Sequence, residues 1–120
     1  MSDTTVINQK ALDDIRSLQS RGSGDLLTKI INIYLEKSTS LRKEIVQGAS
    51  LQDNELLHTS AHSLKSSSAS VGAMRIFDIC SDLEAKGKAG DFSNVNELVE
   101  TLNEELATAA AELRSYLVEG

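Results

Sequence analysis

Two histidines four residues apart, His58 and His62, and a lysine three residues on, Lys65, are the reactive side chains near the middle of this 120-residue chain. The spacing predicts a helix, on which successive residues advance ~100° around the axis. Leu57, Ala61, Leu64, Ser68 and Val71 then share one side, apolar or small and fit to face a core. His62 falls on the opposite side, in a stripe with His58, Lys65, Ser66 and Ala69. A histidine placed there is solvated and can react with a species outside the protein. Lys65, at i+3, can hold an anion beside the ring. Ser66 and Ala69 are small enough for a large partner to come close.

Other chemistries fit these residues less well. Two histidines at i and i+4 can bind zinc, but His58-Thr59-Ser60-Ala61-His62 lacks the glutamate of the helical His-Glu-x-x-His motif. The only further histidine or cysteine is Cys80, which falls on an apolar stripe and is read as core. No metal site is predicted. There is no Gly-x-x-x-x-Gly-Lys phosphate loop, no nucleotide-binding glycine pattern and no acidic cluster for Mg²⁺. Gly-x-Ser-x-Gly is absent too, and Gly22-Ser23-Gly24 reads as a turn. A small hydrolase or metalloprotein is therefore the weakest reading.

The same residues carry a family resemblance. His62-Ser63-Leu64-Lys65, then Gly72-Ala73, Ile76 and Cys80-Ser81-Asp82-Leu83-Glu84, resembles the signature of histidine-containing phosphotransfer (HPt) domains. The resemblance extends over most of residues 6 to 118. One position departs: the family usually has Gly after the Lys, and this chain has Ser66.

The resemblance implies reversible phosphorylation of the His62 imidazole, with Lys65 as the phosphate-stabilising cation and His58, Ser66 and Ala69 on the partner-docking surface. A neutral imidazole keeps one nitrogen lone pair free to attack phosphorus, and the P–N bond formed is labile enough to be given up again. Phosphoryl transfer also needs in-line positioning and neutralised oxygens. The chain carries no cofactor of its own for this. The resemblance assigns that part to the receiver domain of a response regulator or hybrid kinase, with its acidic pocket, Mg²⁺ and acceptor aspartate. The expected protein is a phosphocarrier between receivers, not a kinase. The alternative is a helical adaptor that docks a receiver or kinase without carrying phosphate.

The positioning elements follow from periodicity and composition. The chain has no proline, seven glycines and 3% aromatic residues, which suits long helices around an aliphatic and alanine core. After a frayed tail at residues 1–5, Ile7, Ala11, Leu12, Ile15 and Leu18 predict a short helix ending near Ser20, with a turn at Arg21-Gly22-Ser23-Gly24. A second helix is expected from Asp25 to Gln47, with Gly48 ending it. A third opens at Asp53 or Asn54, carries His62 and stops near Ser70. A fourth follows Gly72, has Ile76, Phe77, Ile79, Cys80 and Leu83 facing in, and ends around Lys86, Gly87, Lys88 and Gly90. Asp91 or Ser93 caps a fifth, whose stripe runs from Val95 to Leu117. These predict an all-α single domain over 1–120, an antiparallel four-helix bundle with the short N-terminal helix capping one end.

The net charge of −6 argues against nucleic acid and anionic membranes as partners. No apolar run approaches the ~20 residues of a transmembrane helix, and the N-terminus lacks the basic and apolar regions of a signal peptide. A single cysteine allows no internal disulfide and suits a reducing compartment, so the chain reads as cytoplasmic; a monomer is expected.

Overall fold

The computed structural model describes residue 7, residues 10–14 and residues 26–118. Four long helices follow one another: α1 (Leu26–Leu51), α2 (Asn54–Ser70), α3 (Met74–Ala89) and α4 (Val95–Val118). Residues 10–14 are helical as well, and no strand occurs among the described residues. The rest of the expected first helix, the 21–24 turn, the tail at 1–5 and Asp25 lie outside them.

Each helix buries its 3.6-residue stripe. Leu27, Ile31, Tyr34, Ser38, Leu41 and Ile45 point inward from α1. Leu57, Ala61, Leu64 and Ser68 do so from α2, all fully buried. Val95, Leu102, Leu106, Ala109 and Leu113 complete the core from α4. A buried leucine of this kind contributes about 1.5–3 kcal/mol. Helix α1 packs on α2 and α4, and α3 packs on α2 and α4, so the four form a closed ring. Ile7 and Leu12 are buried in the same core, and the Ile7 amide donates to Glu112 of α4 at 3.0 Å. Phe77 and Ile79, expected to face inward, are only half-buried.

The helix ends show where local signals were and were not decisive. Asp53 caps α2, its carboxylate accepting from the Leu56 amide at 3.1 Å. Gly72 takes φ 75° after α2, and Gly90 takes φ 67° after α3, where the Asp91 amide reaches back to the Lys86 carbonyl. Gly48 does not end α1. The helix runs through it to Leu51, because the glycine serves a helix crossing: a Cβ there would lie 2.8 Å from the Leu57 nitrogen. Neither Asp91 nor Ser93 caps α4, which starts at Val95 after Asn94 at φ 62°. Asp91 instead accepts from the Ser93 amide and hydroxyl, closing the loop on itself.

Gly87 on α3 repeats the arrangement of Gly48. A Cβ there would meet the His58 nitrogen at 2.8 Å. The N-terminal half of α2 is therefore gripped between two glycine contacts, one from α1 at Leu57 and one from α3 at His58. Toward its other end, the Tyr34 hydroxyl of α1 and the Ser68 hydroxyl of α2 form a buried hydrogen bond of 2.7 Å. Burial pushes the Tyr34 phenol up to about 12. The helix that bears His62 is fixed at both ends.

Candidate functional site

His62 stands on the outer side of α2, midway between these restraints, with its side chain 58% exposed. One ring nitrogen has a partner: Nδ1 lies 2.9 Å from Oε2 of Glu84 on α3. The other carboxylate oxygen of Glu84, Oε1, lies 2.6 Å from the Lys65 ammonium. His58 Nε2 approaches the same Oε2 at 3.7 Å. One carboxylate from α3 thus gathers three side chains that α2 presents along one stripe.

The charge state of Glu84 sets the direction of its hydrogen bond with the ring. Its carboxyl is held below the usual range, chiefly by the hydrogen bond from Lys65 and, against the cost of burial, by the bond to His62. An ionised carboxylate only accepts hydrogen bonds. The Nδ1 contact therefore requires the proton on Nδ1. In the neutral ring the remaining lone pair is on Nε2, which has no hydrogen-bond partner among the described residues. The arrangement can present a nucleophile of fixed tautomer, and it can offset the positive charge that an attacking imidazole acquires.

Lys65 is 23% exposed and its ammonium sits 5.8 Å from the centre of the Phe77 ring. It shares the surface of His62, as its spacing predicts, but its charge is committed to Glu84. Ser66 and Ala69 are both exposed beyond the histidine. His58 is turned toward Glu84, with 30% of its side chain exposed. Cys80 is buried in the core, and burial raises its thiol to about 12. Among the described residues, no group of three His, Cys, Asp or Glu side chains is placed to hold a metal ion.

Glu84 is the site residue that the sequence reading passed over. It appears in the Cys80-to-Glu84 motif but received no role there. A signal was present: with Ile76, Cys80, Leu83 and Gly87, it lies on the buried stripe of α3. A carboxylate on such a stripe needs a cationic or hydrogen-bonding partner from a neighbouring helix.

The chain is similar in structure to histidine-containing phosphotransfer protein B (HptB) from Pseudomonas aeruginosa PAO1, with a TM-score of 0.86 at 19% sequence identity, covering 98% of this chain and 99% of that one. At that identity the likeness speaks for the helical-bundle fold. Among curated proteins, none matches the chain in sequence. The family model of the Hpt domain matches residues 29–115. That span holds all four long helices but for the first residues of α1 and the last of α4, and with them His62, Lys65 and Glu84; the chain belongs to the Hpt domain family of phosphotransfer relay proteins.

Proposed function

We propose that His62 accepts a phosphoryl group from the aspartyl phosphate of one receiver domain and passes it to the aspartate of another. The observation that carries this reading is the exposed ring held through Nδ1 by Glu84. Nε2 attacks phosphorus, the P–O bond to the receiver carboxyl breaks, and that carboxylate leaves with the electron pair. The phosphorylated ring is then positively charged and keeps its proton on Nδ1, where Glu84 offsets the charge. Attack by a second receiver carboxylate breaks the P–N bond and returns the neutral ring. The receiver brings the Mg²⁺ and acidic pocket that the transferring oxygens need.

Lys65 has two parts in this scheme. It holds Oε1 of Glu84, which leaves Oε2 for the histidine, and its ammonium lies one turn along from the arriving phosphoryl group. The receiver lands on the small exposed residues Ser66 and Ala69. Beside them, Ile30, Ile33, Tyr34, Lys37, Ser67 and Ser70 line a pocket of about 330 Å³. Ile33 is 57% exposed and offers an apolar anchor for the visitor. Ser66 is larger than the family's usual glycine but still leaves the approach open. His58 borders this surface. The carrier works as a cytoplasmic monomer, and no helix among the described residues is long and apolar enough to cross a membrane.

The test is incubation with a receiver carrying phosphoryl on its aspartate. Acid-labile label is expected on the wild-type chain and none on a folded His62→Gln variant. Label of equal intensity on that variant overturns the site. Receiver binding without any label identifies an adaptor instead of a carrier.

A further inference from the structure

The ring of helices has a second side. His62, Lys65 and Glu84 lie where α2 meets α3; the opposite seam, between α1 and α4, is open as a groove of about 360 Å³. Leu35 from α1 and Leu106, Ala107 and Ala110 from α4 supply its apolar lining, and Ser38, Thr39 and Asn103 its uncharged polar lining. Arginines stand toward its two ends, Arg42 on α1 and Arg114 on α4. Three arginines occur among the described residues. Arg75 pairs with Glu105, and the other two both border this groove. Among the described residues no carboxylate lies within ion-pair distance of either. Arg42 has only a 3.5 Å contact to the Asn103 amide oxygen. Their helical neighbours supply none either: Ser38, Thr39, Ile45 and Val46 flank Arg42, and Ala110, Ala111 and Leu117 flank Arg114.

A chain with 18 acidic and 12 basic residues has carboxylates to spare for its cations. Two guanidiniums with no carboxylate partner among the described residues, set across a partly apolar lining, make a surface complementary to an anionic, partly apolar ligand. The guanidinium fork matches carboxylate geometry in pairs of hydrogen bonds. Asn103 marks the level of Arg42 on α4, and Arg114 lies 11 residues further on, roughly 16 Å along the axis at helical rise. That is the length of three helical turns. We infer that the α1–α4 groove docks an acidic amphipathic helix of a partner protein, its apolar face on Leu35, Ala107 and Ala110 and a carboxylate near each end on Arg42 and Arg114. Because this seam lies across the bundle from His62, the helix and a receiver bind at once.

The probe is a blocked 14-residue helical peptide with leucines along one face and paired glutamates at both ends, titrated into the ¹⁵N-labelled full chain at low salt. Amide shifts are expected in residues 35–42 and 103–114, with residues 58–69 unmoved. Binding is expected to weaken at least tenfold in an Arg42→Gln/Arg114→Gln double variant of unchanged melting temperature. A peptide with lysines in place of the glutamates should give no shifts on the unaltered chain, a control that needs no substitution. Absence of shifts, shifts centred on 58–69, equal binding by the double variant, or equal binding of the lysine peptide each overturns the inference. The double variant should accept phosphoryl at the wild-type rate, and a loss there would contradict the separation of the two faces.

Discussion

Replacing Glu84 by glutamine keeps the size of the side chain and removes its charge, so it isolates what the carboxylate does for His62. In the native site the carboxylate can only accept, which puts the proton on Nδ1 and the lone pair on Nε2. A glutamine amide can also donate to Nδ1, and that contact stabilises the tautomer in which Nε2 carries the proton and cannot attack. It also removes the negative charge facing a ring that becomes positive as phosphorus is engaged. A hydrogen bond to a charged group contributes ~1.5–3 kcal/mol, which at about 1.4 kcal/mol per decade is a ten- to hundredfold slower transfer. The assay is a single-turnover phosphoryl transfer from a phosphorylated receiver, with imidazole ¹⁵N shifts reporting the tautomer. Glu84 is held below the usual carboxylate range, so its stabilising effect is present above the ordinary glutamate pKa of about 4.3 and is lost as pH falls through the lower folded value. The wild-type chain should therefore melt above Glu84→Gln at pH 7, and the gap should close in acid. Wild-type transfer rates and an unchanged ring tautomer in Glu84→Gln would refute the reasoning.

Three other outcomes follow from the packing. Gly87→Ala forces a Cβ to within 2.8 Å of the His58 nitrogen, so α2 and α3 must separate; a loss of about 1–3 kcal/mol is expected in urea unfolding, together with slower transfer as Glu84 draws away from His62. Tyr34→Phe leaves the Ser68 hydroxyl buried without its 2.7 Å partner and should cost about 1–3 kcal/mol in urea unfolding. Cys80 is fully buried and its thiol is raised to about 12; alkylation at pH 8 should be negligible in the folded chain and become rapid in denaturant.

The fold and the outward placement of His62 were legible in the sequence because both depend on a local period. Leu57, Ala61 and Leu64 fall on one side of a 3.6-residue helix and His62 on the other, and the structure buries the first three completely while exposing the fourth. Gly72 and Gly90 read correctly as helix ends because the residues around them supply the whole signal. Gly48 did not, since a glycine that stops a helix and one that lets two helices touch look alike until the second helix is in place. Glu84 was hidden for the same reason. Its bond to His62 joins residues 22 positions apart and exists only once α2 and α3 have packed. Lys65 was placed on the right surface, but its commitment to Glu84 depends on that packing as well.

The account stands on which nitrogen of which histidine reacts. Phosphorylating the chain with a receiver phosphate and recording phosphorus–nitrogen couplings in the ¹⁵N-histidine-labelled protein reads this directly. The expected result is a single phosphohistidine at His62, with phosphorus on Nε2 and the Nδ1 proton retained toward Glu84. Phosphorus on Nδ1 of His62, or on His58, would contradict it.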